Sequence, residues 1–268
     1  MDKKIYKLAA VMALVLTFLC GCEKELDFKY NDIDPIPVIE GSLTQHGAEV
    51  SLTLTTPMDE PMRRERLTDA EVSILDLTTG EEIMLTIDAE GFYVSPQGGL
   101  EGHTYRLIVK RGGELYTSDC EMRPAVEITG MEFSWIKMPY DYVAVLQVSF
   151  TDNPATVNDC YWMRLYRNGA AYQWAELNDI HASGGVIDKV VMTTRRDLEE
   201  EDEADRLEKG DVVTATIVPV SRAMHDYLEA LAVGNSNGPR MFTGGFCLGY
   251  FLAAPIAERT LIFDPDSF

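Results

Sequence analysis

Cationic side chains are scarce in this sequence. Its 23 lysine and arginine residues are outnumbered by 44 aspartate and glutamate residues, and the formal net charge at pH 7 is −21. Proteins bind nucleic acids through basic patches that neutralise phosphates, and a surface this acidic repels phosphates instead. We therefore expect no nucleic acid partner.

Histidine and cysteine are also few, which limits the metal chemistry open to the chain. The four histidines lie on separate segments: His46, His103, His181 and His225. Three cysteines follow residue 22 without C-x-x-C spacing: Cys120, Cys160 and Cys247. These spacings do not indicate a zinc site, and we predict no metal and no cofactor. At most one disulfide can form among the three cysteines, and their spacing selects no pair.

Residues 1–21 are typical of a secretory signal peptide. Three lysines occur within the first seven residues, and the apolar run Leu8–Leu19 follows them. That run is too short to span a bilayer, which takes about 20 apolar residues in a helix. A buried N-terminal helix is the alternative, and the basic start disfavours it.

The segment ends in the letters LCGC at residues 19–22, which resemble the bacterial lipobox. In that motif a small residue precedes the cysteine that is lipidated and becomes the new N terminus. Gly21 precedes Cys22, whereas the bulky Leu19 precedes Cys20. We therefore predict lipidation at Cys22 and attachment to the outer membrane through N-terminal acyl chains.

Residues 22–37 are predicted to form a lipidated acidic tether. Removal of the leader takes away three lysines and one aspartate, so 20 basic and 43 acidic residues remain, with a net charge of −23. Anionic headgroups do not attract such a body, so the lipid itself must be the anchor. The acidic residues from Glu23 to Asp27 resemble the surface-export signal of Bacteroidota lipoproteins. They favour surface exposure over the periplasm, and a solvated tether without an export role is the alternative.

Residues 38–124 carry short alternating runs, separated by turns at the spacing typical of a β-sandwich. Val50, Leu52 and Leu54 alternate with hydroxyl residues, which places the apolar side chains on one face of a strand. Gly112 and Gly113 can adopt the positive φ angles of a tight hairpin. We expect an immunoglobulin-like or transthyretin-like β-sandwich that ends at Pro124.

Residues 125–268 are predicted to form a second β-rich domain with one helix near residues 221–232. Asn168-Gly169 suits a type I′ hairpin turn. Ser221 can cap the helix, an apolar stripe follows it, and Gly234 can end it. Two final strands are expected near 246–252 and 260–263. The predicted fold class is all-β with a single helix.

Several segments resemble one known family when taken in order. They are CEKELDF at 22–28, VIEG at 38–41, Gly210-Asp211 before a strand, SRAMHDYL at 221–228 and GGFCLGYF at 244–251. Together they are similar to the Bacteroidota lipoproteins catalogued as domain of unknown function 4249. That resemblance covers nearly the whole chain after the leader. It implies a surface or periplasmic lipoprotein of unassigned activity, often encoded near TonB-dependent outer-membrane receptors.

One pattern bears on enzymatic activity. Residues 234–238 match G-x-S-x-G, but a nucleophile elbow needs a strand before the serine and a helix after it. Here a helical pattern precedes Ser236 and Pro239 follows, so the segment indicates a loop. The acidic run at 199–208 could offer oxygen ligands to Ca²⁺, yet it lacks the spacing of a binding loop and indicates a solvated segment.

Large aromatic residues concentrate at the start of the second domain. They are Trp135, Tyr140, Tyr142, Tyr161, Trp162, Tyr166, Tyr172 and Trp174. Some must belong to the core, and exposed members could bind sugars or peptides.

No motif meets the structural requirement of a catalytic site, so the chain is not expected to be an enzyme. We expect a binding or accessory module that acts with an envelope partner such as a TonB-dependent receptor. An exported hydrolase with a loop-assembled site and a fimbria-like subunit with an open sheet edge are the alternatives.

Replacing Cys22 with alanine should abolish incorporation of labelled fatty acid and leave the protein unprocessed or released, because the acyl chains are the predicted anchor. Metabolic labelling and membrane fractionation in the native host measure both effects. Cys20→Ala is the matched control and should keep label and location. Normal labelling and membrane retention of Cys22→Ala would overturn the assignment.

Overall fold

The structure, a computed structural model, describes residues 34–56, 65–139, 141–153, 156–182, 185–195, 206–235 and 238–268. The predicted signal peptide, Cys22 and most of the predicted tether lie outside these ranges. Tyr140, Ser236 and most of the acidic run also fall outside them.

Within those ranges the chain forms seventeen strands, one α-helix and a short 3₁₀ turn at Asp179–His181. In chain order the strands are β1 (Pro37–Thr44), β2 (Gly47–Leu54), β3 (Glu71–Asp76), β4 (Glu82–Met84), β5 (Thr86–Ile87), β6 (Tyr93–Ser95), β7 (Thr104–Arg111), β8 (Glu114–Glu121), β9 (Ile128–Lys137), β10 (Tyr142–Thr151), β11 (Cys160–Arg167), β12 (Ala170–Asn178), β13 (Val186–Arg195), β14 (Val212–Val220), β15 (Thr243–Gly244), β16 (Leu248–Ala253) and β17 (Ala257–Ile262). The helix, α1, spans Arg222–Ala232.

Two five-stranded sheets form the first sandwich. Their strand orders are β16-β1-β2-β6-β5 and β15-β8-β7-β3-β4. Alternate side chains of both sheets meet in one buried core that includes Ile39, Val50 and Val72. The sheets approach closely at Gly41, where an added Cβ would lie 2.9 Å from Cδ2 of Leu107. A larger residue at this position would therefore displace Leu107.

A three-stranded sheet, β13-β10-β9, and a four-stranded sheet, β12-β11-β14-β17, form the second sandwich. Its core includes Phe150, Met163 and Val213. The rings of Phe150 and Tyr161 meet edge to face with centroids 5.0 Å apart, a preferred aromatic geometry. The chain is thus all-β with one helix in its described part, as the sequence predicts.

The predicted hairpin turns and helix caps are confirmed. Asn168 and Gly169 have φ angles of 50° and 82°, so both central residues of the turn are left-handed, as a type I′ turn requires. The Ser221 side chain accepts a hydrogen bond from the Met224 backbone N–H at 3.1 Å. Gly234 follows the helix with a φ of 64°. In the part of the chain that the structure describes, no helix is long and apolar enough to cross a membrane.

The C-terminal segment corrects the expected grouping of residues 125–268 into one domain. Strand β16 pairs in parallel with β1, and β15 pairs with β8, so residues 243–253 belong to the first sandwich. Strand β17 then returns to the second sandwich beside β14. The reason is physical: β1 has an open edge that an apolar strand can cover, and a local sequence pattern does not say which edge a strand joins.

Asp211 connects the turn between β11 and β12 with the start of β14 at one end of the second sandwich. Its carboxylate accepts hydrogen bonds from the Asn168 amide at 2.7 Å and the Glu208 backbone N–H at 2.8 Å. It also lies 2.7 Å from Nε of Arg167. Burial raises the pKa of this carboxyl, but the hydrogen bonds and the Arg167 charge outweigh burial and bring the pKa below its usual value.

Replacing Asp211 with asparagine should lower the free energy of unfolding by about 2 kcal/mol at neutral pH, because hydrogen bonds to a charged acceptor are lost. The folded-state pKa is lowered, so the contribution is complete above the ordinary value of 3.8 and disappears as pH falls through the folded-state pKa. Urea unfolding from neutral to strongly acidic pH measures this. The exposed change Glu90→Gln is the control, and a difference that stays constant at every pH would contradict the assignment.

Gly249 permits the close parallel pairing of β16 with β1. An added Cβ would lie 2.0 Å from the backbone oxygen of Ile39, and the φ of Gly249 is 102°. Gly249→Ala should therefore destabilise the fold by more than about 3 kcal/mol. Gly80→Ala is the matched control, because Gly80 has a φ of 80° but open space around its Cβ position. That control should cost only about 1 kcal/mol in urea unfolding. Equal losses for the two variants would contradict a role for close backbone approach.

Candidate functional site

A cleft of about 850 Å³ lies between the outer faces of the sheets that contain β1 and β11. This volume falls within the range of small-molecule sites, roughly 300–1,000 Å³. Strands β1 and β2 contribute mainly polar side chains, whereas β11 and β16 contribute large aromatic residues and an arginine. The side chains that matter below are Glu40, Ser42, Ser51, Trp162, Arg164, Tyr166 and Tyr250.

Strand periodicity turns these residues toward the cleft. On β1, Ile39, Gly41 and Leu43 face the first core, so Glu40 and Ser42 face outward. On β11, Met163 and Leu165 enter the second core, and Arg164 therefore points to the opposite face. One face of each sheet is thus left to line the space between the sandwiches.

One side of the cleft is closed by packed aromatic rings. Trp162 is 9% exposed, and its ring meets Tyr250 edge to face with centroids 5.8 Å apart. Tyr227 of helix α1 lies 6.0 Å from Tyr250, measured between ring centroids. These contacts hold the end of β11 against the first sandwich and give the cleft a fixed wall.

Arg164 lies beside this wall, and within the described ranges no hydrogen bond from its guanidinium is found. Its Nε atom is buried and has no hydrogen-bond acceptor, and among the described residues Arg164 forms no ion pair. The guanidinium carbon lies 4.6 Å from the centroid of the Trp162 ring, a cation–π contact. Nε1 of Trp162 is likewise buried without an acceptor. Two neighbouring donors are therefore unsatisfied at the same place, which is uncommon for buried polar groups.

A second arginine also lines the cleft. Arg66 stacks over Phe92 at 3.6 Å from the ring centroid and donates from Nη1 to the Glu90 backbone oxygen at 3.0 Å. Its Nε atom is buried without an acceptor. Glu40 and Glu49 are on the same lining, so this surface is balanced in charge although the chain is strongly acidic.

The Tyr250 hydroxyl remains protonated at neutral pH. Burial raises its pKa to about 12, with a further rise from Glu40 and an opposing effect from Arg164. Tyr250 is therefore a neutral group that can donate or accept a hydrogen bond.

The three cysteines do not supply a reactive thiolate. All three are free and buried, so none of them pairs in a disulfide. Burial raises the pKa of Cys120 and Cys160, and it raises the pKa of Cys247 to about 11. Nucleophilic cysteines instead have lowered pKa values in electropositive surroundings.

Within the described ranges, two groups of side chains have ligand atoms close enough together for a metal ion. They are His225 with Asp226 and Glu229, and Asp152 with Asp159 and Asp179, each within 4.8 Å. In each group an arginine already neutralises one carboxylate: Arg222 lies 2.9 Å from Asp226, and Arg123 lies 3.0 Å from Asp159. Ion pairs therefore account for part of each group, and the cleft is the better candidate site.

The described aromatic residues singled out in the sequence divide among the second core, the cleft and the exposed surface. Tyr161 packs in the second core, and Trp162 and Tyr166 line the cleft. Trp174 is 41% exposed and meets Trp162 edge to face. The sequence did not single out Arg164, although its place between two core residues of β11 was a usable signal. Ser236 and the side chain of His181 lie outside the described residues, so a serine–histidine pair is not tested.

No family model and no curated protein matches the chain. Among solved structures it is similar to a two-domain fibronectin type-III segment of chicken tenascin, with 12% identity, a TM-score of 0.24 and coverage of 86% of this chain and 100% of that one. The FN1–FN3 domains of chicken CNTN1 give 11% identity and the same TM-score of 0.24, covering 85% of this chain and 65% of that one. TM-scores this low do not support any conclusion about function.

Proposed function

We propose that this protein is a lipid-anchored binding module of the bacterial envelope, with its ligand site in the cleft between the two sandwiches. The observation that carries the proposal is that Arg164, on the cleft lining, forms no ion pair with any described residue, and that its Nε atom and the neighbouring Trp162 Nε1 are both buried without an acceptor. Leaving a buried donor unsatisfied costs about 1–3 kcal/mol, more when the donor is charged. Arg164 lines the cleft, so a ligand acceptor that reaches its guanidinium would offset part of this cost.

The lining of the cleft supports binding rather than catalysis. It combines aromatic rings that can stack on a ligand with hydroxyl groups that can orient it, a mixture typical of binding pockets. The candidate nucleophiles do not fit an enzyme, because the cysteine thiols are buried and their pKa values are raised. Among the described lining residues there is also no histidine to act as a general base.

The cellular setting is part of the same proposal. Acyl chains on Cys22 hold the protein at the outer membrane, with surface exposure favoured, and a TonB-dependent receptor is the proposed partner. These features are supported by the lipobox-like letters at 19–22 and by the resemblance to the Bacteroidota lipoproteins. A body with an acidic surplus this large is held by its lipid and not by headgroup charge.

Native mass spectrometry of the full-length protein, extracted gently from membranes of its own host, tests the cleft. The wild type should carry a co-purifying species, and Ser42→Trp should lose most of it because the indole fills the cleft. Thr86→Trp is the matched control: Thr86 is an exposed residue of the same sheet outside the cleft. Equal retention by both variants, or no bound species in the wild type, would overturn the binding role.

Crosslinking on intact cells tests the partner. Recovery of a TonB-dependent receptor with the wild type, and its loss with Cys22→Ala, is the expected result. A crosslinked preparation without any envelope protein would contradict the accessory role.

A further inference from the structure

Arg164 has a fixed position, which limits the kinds of ligand group that can pair with its guanidinium. The residue lies within β11, a central strand whose two neighbours, β12 and β14, pair with it throughout. In the register, Arg164 lies opposite Trp174 on one side and Thr216 on the other. Its backbone is therefore rigid, and the cation–π contact with Trp162 further restricts the guanidinium.

No described acidic side chain forms an ion pair with Arg164. Arg167 and Arg123 each pair with an aspartate, at 2.7 Å and 3.0 Å. Arg164 has no such partner among the residues described, although Glu40 lines the same cleft. A guanidinium presents donors in a planar fork that matches a carboxylate or another oxyanion.

The two candidate oxyanions, phosphate and carboxylate, differ in charge at neutral pH. A phosphate group brings a charge of about −1.5 to −2 at neutral pH, whereas a carboxylate brings a single negative charge. Glu40 and Glu49 already line the cleft, and the whole chain is acidic. Repulsion therefore disfavours phosphate more than carboxylate.

We infer that the cleft recognises its ligand through a carboxylate that pairs with the Arg164 guanidinium, which lines the cleft beside the Trp162 ring. This inference rests on the proposed function of the cleft as a binding site. The rest of the ligand lies along the rings of Trp162, Tyr166 and Tyr250 and the hydroxyl groups of Ser42 and Ser51. An acidic sugar and the C terminus of a short peptide both present this carboxylate beside a polar chain.

Nuclear magnetic resonance of the full-length protein with small probes tests the carboxylate. The chain has only three tryptophans, so the Trp162 indole N–H signal can be assigned by its loss in Trp162→Phe. Benzoate should shift the Trp162 and Arg164 Nε–H signals saturably at millimolar concentration. The neutral isostere benzamide should not, and inorganic phosphate should bind more weakly than benzoate. No saturable shift with benzoate, equal shifts with benzamide, or tighter binding of phosphate would each overturn the inference.

Substitutions of Arg164 test whether benzoate binds at this residue. Arg164→Gln should weaken benzoate binding at least about tenfold, and Arg164→Lys should restore part of it, because lysine keeps the charge but not the planar fork. Arg195→Gln, an exposed arginine of β13 outside the cleft, should bind as the wild type does. An unchanged signal from Trp135, which packs against the second core, shows that each variant is folded. Wild-type affinity in Arg164→Gln would overturn the inference.

Two further probes distinguish the sources of the carboxylate. Trigalacturonate and its methyl ester represent acidic sugars, and a tripeptide and its C-terminal amide represent peptides. We expect trigalacturonate or the tripeptide to bind at least about tenfold more tightly than its neutral form. Neutral forms that bind as well as both acids would contradict it. A host-derived species retained by the wild type and lost in Ser42→Trp, together with no response to benzoate, would refute the carboxylate and leave the proposed function intact.

Discussion

A backbone ladder between β1 and β16 joins the C-terminal part of the chain to the first sandwich, and the cleft depends on it. The pairing runs in parallel from Val38 with Leu248 to Leu43 with Ala253. Because side chains alternate along a strand, the register that buries Phe251 in the first core turns Tyr250 outward. Tyr250 then packs against Trp162 of the second sandwich. Without this ladder, the cleft would lose the packing of Tyr250 against Trp162 that closes one of its sides.

Arg164 and Arg167 belong to the same strand, β11, and have different partners. Arg167 pairs with Asp211, and that pair also stabilises a hairpin and a strand end. Among the described residues Arg164 has only a cation–π contact, which offsets part of the cost of removing a guanidinium from water. Arg66 lines the same cleft and also forms no ion pair with a described residue. In the proposed binding role, the acceptor that Arg164 lacks arrives with the ligand.

Much of the fold could be predicted from local patterns. Alternation along β2 indicated a strand, Asn168-Gly169 indicated the hairpin turn, and Ser221 indicated the start of α1; the structure has all of them. The candidate site was harder to predict from the sequence. Aromatic residues of β11 were singled out for binding without a way to separate Trp162 from Tyr161, which lies on the opposite face in the second core. Lipidation at Cys22 stays a prediction, since that residue lies outside the described ranges.

The sequence by itself determined the acidic character, the strands, the tight hairpins and the single helix, because each depends on composition or on residues within a few positions of one another. Only the tertiary structure decided that residues 243–253 leave the second sandwich and join the first. It also decided that Arg164 faces a cleft in place of open solvent. Both outcomes depend on pairing between strands that are distant along the chain. The free energy of that pairing comes from two assembled cores, which no local pattern encodes.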